Sequence, residues 1–321
     1  MSKEHFRYLY GPVPSRRLGR SLGVDLVPLK TCTYDCIYCQ LGRTTDKTCK
    51  RKEYVAVDEV VAELERKLAT LDTPDYISLS GSGEPTLNSG IGDLIRRIKG
   101  ISKVPVAVLT NGSLLWRAEV QDALMAADLV IPSLDAGDER LFHYVNRPHT
   151  SISFERVVDG IAAFTARFPG KVWLEVFLLA GVTDMPSEVK KTAALAKRIA
   201  PARVQLNTVA RPAAEGFALP VPHDKMLSIK SLFAGGADII AEAPPEIARA
   251  AGTFEAGDEE MLSLLSRRPC TAADVAKGLK LNVTEALKQL ELLRAAGKVT
   301  VISSGGRTFY TVGGPVEASR K

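Results

Sequence analysis

The chain has 321 residues, of which 25% are charged and 45% apolar, and its mean hydropathy is +0.02, a composition typical of a soluble globular protein. No apolar run approaches the roughly 20 residues that span a bilayer, which excludes an integral membrane protein. The first ten residues do not resemble a signal peptide, so we expect a protein of the reducing cytoplasm whose five cysteines form no disulfide framework.

The formal net charge of +5 is concentrated at the start of the chain, where residues 1–53 hold 11 basic against five acidic side chains. Such a segment is typical of a surface that meets an anionic cofactor, a nucleic acid or an acidic electron-donor protein, but it also fits an ordinary solvated surface. Its basic residues near the first cysteines are Arg16, Arg17, Arg20, Lys30, Arg43, Lys47, Lys50, Arg51 and Lys52.

Short apolar runs alternate with longer segments of helical periodicity through the first two thirds of the chain. The predicted strands cover 21–27, 75–80, 104–110, 128–134, 171–179 and 203–208. Helices are predicted between and after them, over 58–71 with Asp58 as the N-cap, 88–99, 117–126, 154–168, 187–199 and 222–234.

Buried strands that alternate with helices predict an α/β fold with a parallel sheet. Six such units without a reversal signal favour a partial (β/α)6 TIM-like barrel over residues 1–245 rather than a doubly wound sheet. In either fold, ligands bind at the carboxyl ends of the strands. The segments GSGEPT, TNG, LDAGD, AGVTD and LNTVARP all lie at or just after strand ends, which predicts an active site there.

After Pro244-Pro245 the pattern changes to three short helices, predicted over 258–267, 271–278 and 282–296, with Thr271 and Asn282 as N-caps. Two short strands joined by Gly305-Gly306 follow. This order predicts a small winged helix-turn-helix domain over 255–313, followed by a tail at 314–321.

The cysteines Cys32, Cys36 and Cys39 form a C-x3-C-x2-C motif in the loop after the first predicted strand. Three thiolates this close suit three corners of one iron–sulfur cubane and leave one iron open, whereas clusters are normally held by four cysteines. Cys49 allows an alternative, a four-cysteine zinc site or closed cluster, although no second C-x2-C pair accompanies it. Core or capping roles suffice for Cys270.

This motif, with Tyr38 just before its last cysteine, resembles the radical S-adenosylmethionine (SAM) superfamily, and GSGEPT supports the resemblance. The opening residues 11–42 further resemble the wyosine-base-synthase-like branch. The resemblance implies a [4Fe-4S] cluster on Cys32, Cys36 and Cys39, whose fourth iron binds SAM. One electron, from a flavodoxin- or ferredoxin-type donor, would cleave SAM to methionine and a 5′-deoxyadenosyl radical that abstracts hydrogen from a substrate.

The resemblance also implies cofactor-binding residues. Gly81, Ser82, Gly83 and Glu84 match the glycine-rich motif that contacts the SAM amino group. The alternative is a tight strand-to-helix turn, although such a turn does not need the Glu-Pro pair. Tyr38 would pack beside the adenine, and Val182 resembles the adenine-contact position.

Polar residues at the strand ends are candidates for the ribose, although each is equally suited to capping a helix or setting a turn: Asn111, Ser133, Asp135 and Asn207. Arg147 and Arg211, each before a proline, are candidates for an acidic substrate group.

Two substrate classes, and one function without catalysis, fit these patterns. A tRNA base is favoured by the basic segment and the branch resemblance, and a protein or peptide by a docking domain at the carboxyl end. However, wyosine-forming enzymes carry cysteines upstream of this motif, and none precedes Cys32 here. The alternative is an iron–sulfur or zinc regulator that binds DNA, but its predicted recognition helix holds Glu285 and Glu291 against Lys288 and Arg294.

Overall fold

A computed structural model of the chain describes residues 6–240, 257–279 and 281–312. The predicted domain boundary at 245–255 and the tail lie outside these residues. The main strands are β1 (Leu9–Ser15), β2 (Gly19–Val24), β5 (Tyr76–Leu79), β6 (Val106–Thr110), β7 (Leu129–Pro132), β8 (Lys171–Leu178), β9 (Arg203–Thr208) and β10 (Asp238–Ile239). A separate two-stranded sheet pairs β3 (Thr31–Cys32) with β4 (Asp46–Lys47).

The main sheet has the strand order β1-β2-β5-β6-β7-β8-β9-β10. From β2 to β10 every pairing is parallel, with neighbours in chain order, as in β2–β5 where Leu22 lies opposite Ile77. Sequential parallel neighbours joined by helices wind in one direction and give a partial barrel. The predicted α/β partial-barrel fold is confirmed.

The helices that follow these strands are α1 (Val57–Thr70), α2 (Ile91–Ile101), α3 (Ala118–Leu124), α4 (Glu139–Asn146), α5 (Phe154–Arg167), α6 (Pro186–Ile199) and α7 (His223–Lys230), with a 3-10 turn at Pro85–Leu87. Their apolar faces and the strands enclose one large core. In the described part of the chain, no helix is both long and apolar enough to cross a membrane.

The structure corrects two details at the start of the barrel. The first predicted strand begins two residues earlier and ends at Val24, and β1 pairs antiparallel with it, Val13 opposite Ser21. Asp58 is not the N-cap of α1, because the helix begins at Val57 after Ala56 and Asp58 lies in its first turn. There its negative charge still complements the helix dipole.

The carboxyl-terminal residues form α8 (Asp258–Arg267), α9 (Ala272–Leu279), α10 (Val283–Ala295) and the antiparallel pair β11 (Thr300–Ser304) and β12 (Arg307–Thr311). We call residues 257–279 and 281–312 the carboxyl-terminal module. Both predicted N-caps are confirmed, since Thr271 Oγ1 accepts from the Asp274 backbone N–H and Asn282 Oδ1 from that of Thr284. The assignment as a winged helix stays a prediction.

The carboxyl-terminal module packs on the β1 edge of the barrel. Val13 of β1 lies in the same apolar cluster as Met261 and Leu265 of α8. A buried ion pair joins the two parts, with Arg267 Nε 2.7 Å from Asp25 Oδ2. The module therefore packs on β1 and on the residue that follows β2.

Candidate active site

A cleft of about 440 Å³ opens at the carboxyl ends of the barrel strands. Its volume is within the range of sites for small ligands and cofactors. The walls come from the cysteine loop, the segment after β5, the first residues after β6, β7 and β9, and the end of α8. The residues predicted from sequence to hold the cluster or SAM, and found among them, are Cys32, Cys36, Tyr38, Cys39, Gly81, Ser82, Gly83, Asn111, Ser133 and Asn207.

The loop that carries the three cysteines is held by main-chain hydrogen bonds rather than by regular structure. The Asp35 and Ile37 N–H groups donate to the carbonyls of Asn146 and Val145, at the end of α4, over 3.0 and 2.9 Å. On its other side, β3 pairs with β4. These contacts fix the loop across the mouth of the barrel.

Amide groups donate to two of the three sulfurs. Asn146 Nδ2 lies 3.4 Å from Cys36 Sγ, and Asn111 Nδ2 lies 3.6 Å from Cys32 Sγ. Burial raises the pKa of the Cys32 thiol to about 12 and also raises the pKa values of the Cys36 and Cys39 thiols. A metal centre at this site therefore displaces protons from the thiols as it binds.

The donor set fits a [4Fe-4S] cluster held by three cysteines. The three thiols line one cleft, and N–H donors to ligand sulfurs are among the contacts that tune such clusters. Within the described residues, no three His, Cys, Asp or Glu side chains are grouped to hold a single metal ion. A cubane has a different requirement, since each thiolate binds its own iron.

The remaining cysteines lie outside the cleft. Cys49 does not line it, and its sulfur accepts a hydrogen bond from Ser151 Oγ at 3.3 Å. Cys270 is fully buried in the core of the carboxyl-terminal module, and its main chain pairs with Tyr310. Neither is placed with the three cysteines of the loop.

The glycines of the GSGEP segment allow it to pack directly against the cysteine loop. Gly81 has φ +112°, and a Cβ there would lie 2.0 Å from Asp25 Oδ1. At Gly83 a Cβ would lie 1.9 Å from the Thr31 carbonyl oxygen. Asp25 Oδ1 accepts from the Ser82 N–H at 2.7 Å, which anchors the segment. Close approach of protein backbone thus explains these glycines without a ligand.

Glu84 is buried and does not line the cleft. Its Oε1 accepts from Thr86 Oγ1 and from Thr110 Oγ1, and its Oε2 accepts from the Asn111 N–H at 2.8 Å. Burial raises the pKa of this carboxyl, although these hydrogen bonds oppose the rise. The carboxylate joins the segments after β5 and β6 instead of facing a ligand.

Tyr38 lines the cleft and is fixed on both sides. Its ring stacks on Phe177, with centroids 3.9 Å apart, and its hydroxyl donates to Asp135 Oδ2 at 2.5 Å. Asp135 also accepts from Asn146 Nδ2 at 2.8 Å, so Asn146 connects this network with Cys36. Burial raises the pKa of Asp135 to about 6, against the effect of these hydrogen bonds.

Asp135 and Val182 therefore differ in position from the other predicted residues. Asp135 lies behind Tyr38, and Val182 packs among apolar side chains, so neither lines the cleft. Sequence reasoning placed Asp135 beside the ribose because it follows a strand, and Val182 beside the adenine because of the family resemblance. It missed Asn146 and Phe177, for which the only signal is their position near strand and helix ends.

Sequence reasoning also missed an ion pair inside the barrel. Arg17 forms two hydrogen bonds of 2.9 Å with the two oxygens of Glu175, and Asn207 Nδ2 donates to Glu175 Oε1 at 2.7 Å. All three residues line the cleft. Although burial alone would raise it, the pKa of Glu175 is lowered because Arg17 lies beside the carboxylate.

The two arginines predicted to face a substrate have different positions. Arg147 pairs with Glu215 at 2.6 Å and does not line the cleft. Arg211 lines the cleft and lies 3.6 Å from Asp274 of the carboxyl-terminal module. Of the basic residues before position 53, Arg16, Arg17 and Lys30 line it as well.

The sequence model of the Radical SAM superfamily matches residues 26–196 of this chain. The chain is 36% identical to a UPF0026 protein of Helicobacter pylori strain J99, over 97% of this chain and 99% of the relative. It is also 38% identical, over 97% of its own length, to a Brachyspira hyodysenteriae protein named GTPase Obg, of which it spans only 46%.

Among solved structures, SuiB of Streptococcus suis bound to precursor peptide SuiA is similar with a TM-score of 0.51 and 14% identity. The likeness covers 69% of this chain and 48% of that chain. At this identity it supports the fold.

Proposed function

The chain belongs to the radical SAM superfamily, whose enzymes use a [4Fe-4S] cluster and SAM, and we propose that it cleaves SAM reductively to abstract hydrogen from a substrate. The observation that carries the proposal is the placement of three cysteine thiols, with amide donors to two of them, in one cleft at the carboxyl ends of the barrel strands.

We assign Cys32, Cys36 and Cys39 as the cluster ligands. When bound, the cluster supplies the electron that divides SAM into methionine and a 5′-deoxyadenosyl radical. Asn111 and Asn146 stabilise the deprotonated sulfurs by donating hydrogen bonds to them. Cys49 serves no ligand role in this assignment.

The residues beside the cysteines bind and orient SAM. Gly81, Ser82 and Gly83 present main-chain groups at the edge of the cleft, and Ser133 offers its hydroxyl to the ribose. The side-chain N–H groups of Asn111 and Asn207 donate to Cys32 and Glu175, so these two residues offer only their amide oxygens. Tyr38 presents its ring and main chain to the adenine.

Three of the predicted residues act from behind the cleft. Glu84 holds Asn111, Asp135 holds Tyr38, and Val182 packs beneath the wall. These positioning roles replace the direct contacts predicted from sequence. The recessed site also keeps water and stray hydrogen donors away from a radical.

For the substrate we propose a tRNA base or a protein or peptide, and for the electron donor a flavodoxin- or ferredoxin-type protein. The basic side chains before position 53 support a nucleic acid. SuiB, bound in its structure to the precursor peptide SuiA, supports a peptide. We propose that the carboxyl-terminal module is a winged helix that docks a partner.

The test uses full-length protein purified and reconstituted without oxygen, then given dithionite and SAM. About four irons per chain, as one cubane requires, and formation of 5′-deoxyadenosine support the proposal. Zinc without the nucleoside contradicts it and favours a structural cysteine loop. Cys36→Ala is expected to lose iron and SAM cleavage, and the matched control Cys49→Ala to keep both.

A further inference from the structure

Five arginines line the cleft from elements other than the cysteine loop. Arg16 and Arg17 lie in the turn between β1 and β2, Arg211 follows β9, and Arg267 and Arg268 lie at the end of α8. Two of the five therefore belong to the carboxyl-terminal module. The module completes the wall of the site as well as packing on the barrel.

Carboxylates neutralise only part of this charge. Among the described residues, Arg17 pairs with Glu175, Arg267 with Asp25 and Arg211 with Asp274. Arg268 is in none of these three ion pairs. Positive charge in a recessed cleft attracts anions strongly, because low-dielectric walls focus the field.

Arg268 differs from the other four arginines. Arg16 Nη1 donates to the Ile240 carbonyl at 2.8 Å, and the remaining three are in the ion pairs above. In the part of the chain that the structure describes, the Arg268 side chain forms a hydrogen bond with the Cys270 thiol but no ion pair with a carboxylate, and burial raises the pKa of that thiol against the effect of Arg268. Its charge still acts on the cleft, since it opposes the rise in the pKa of Tyr10.

The backbone that carries Arg268 is held on both sides. Arg267 is fixed by Asp25, and its guanidinium lies 4.9 Å from the centroid of the Tyr10 ring. Two residues later, Cys270 exchanges main-chain hydrogen bonds of 3.0 and 2.7 Å with Tyr310 of β12. A partly buried arginine on a fixed backbone loses little additional conformational entropy when it binds a ligand.

We propose that Arg268 binds an anionic group of the substrate, a phosphate or a carboxylate, at the wall that the carboxyl-terminal module adds to the cleft. Arginine suits both groups because its planar guanidinium forms two parallel hydrogen bonds with either. The inference rests on the proposed function, as it concerns the substrate of that reaction. It makes the module part of the binding site.

The test is isothermal titration of reconstituted full-length protein, without reductant and with saturating SAM, at fixed ionic strength. Pyrophosphate and succinate serve as separate probes, so that the preferred anion distinguishes a phosphate from a carboxylate source. We expect one of them to bind the natural protein, and Arg268→Gln to weaken its binding about tenfold or more, as loss of a charge-assisted contact implies. Arg268→Lys, which keeps the charge, is expected to retain part of the affinity.

The matched control is Arg140→Gln, the same change at an exposed arginine of α4. It is expected to bind as the natural protein does. Binding of neither anion, or equal binding by Arg268→Gln with an unchanged unfolding temperature, would overturn the inference. Formation of 5′-deoxyadenosine by the reduced natural protein is measured in parallel. If 5′-deoxyadenosine forms while binding of the anion does not depend on Arg268, this inference fails and the proposed function stands.

Discussion

The ion pair between Arg17 and Glu175 shows how single residues set the electrostatics of the cleft. Both side chains are about 15% exposed, so each charge depends on the other for compensation. In the sequence the two are 158 positions apart, and no local pattern connects them. Periodicity and motif spacing describe only residues that are close in the sequence, so they cannot predict a contact between two such distant residues.

Replacement of Arg17 by Met is expected to lower the free energy of unfolding by about 3 kcal/mol near pH 8, because Glu175 is left buried and charged. In the natural protein Arg17 lowers the pKa of Glu175, so the stability from this group is present above the ordinary value of 4.5 and is lost as the pH falls through the folded value. In the variant, burial raises the pKa instead. At low pH, protonation of Glu175 then removes the free-energy cost of burying its unpaired charge.

The measurement is denaturant unfolding at pH 8 and pH 5. The difference between natural protein and Arg17→Met should shrink toward pH 5, and Arg17→Met/Glu175→Gln should recover much of the stability at pH 8. A difference that is independent of pH would show that packing, and not the buried charge, accounts for the loss.

The GSGEP segment was recognised from sequence, but the structure gives a different reason for the glycine at position 83. The GSGEP segment was predicted to approach SAM, and the structure shows that Gly83 packs against the main chain of Thr31 at the start of β3. Gly83→Ala is expected to lower the free energy of unfolding by about 3 kcal/mol, because no space exists for a methyl group. The affinity of Gly83→Ala for SAM should fall together with its free energy of unfolding.

The control for that substitution is Gly216→Ala, an exposed glycine at which a Cβ would meet nothing within 4 Å. Thermal unfolding and equilibrium dialysis with SAM report the two effects. Equal stability of the two variants would contradict the close packing of the segment on the cysteine loop.

Asp25 connects two elements, since its oxygens accept from the Ser82 N–H and from Arg267 Nε, both at 2.7 Å. Asp25→Asn places an amide donor against one of these donors, so it should loosen the GSGEP segment or the carboxyl-terminal module. We expect SAM affinity to fall about fivefold, which corresponds to about 1 kcal/mol. Hydrogen exchange at residues 81–83 and in α8 identifies the loosened element, and unchanged exchange at both would refute the connection.

Strands and helices were predictable where their pattern is long. Six parallel strands were found because each is a buried apolar run between helices. The edge strand β1 was missed because Pro12 and Pro14 interrupt its pattern, although an edge tolerates proline. Helix α4 was missed, and length does not explain this, since α7 and α9 also have eight residues and were predicted. Its end nonetheless supports the cysteine loop.

For the molecule as a whole, the sequence revealed the chemistry better than the shape of the site. The C-x3-C-x2-C motif and the strand-end positions predicted ten residues that line the cleft. They did not reveal that the carboxylate oxygens of Glu84 and Asp135 accept hydrogen bonds from other protein groups. These hydrogen bonds depend on how the elements pack against one another. Nor did they reveal that the carboxyl-terminal module reaches the cleft, since that contact joins residues such as Asp25 and Arg267 across the whole chain.

The most direct test of the central claim is the electron paramagnetic resonance spectrum of the reduced, reconstituted protein before and after addition of SAM. Three cysteine ligands leave one iron open, so SAM should change the cluster signal, and Cys49→Ala should show the same change. A four-iron cluster whose spectrum is unaffected by SAM, or a Cys49→Ala variant that lacks the cluster, would contradict the assignment of Cys32, Cys36 and Cys39 as its only protein ligands.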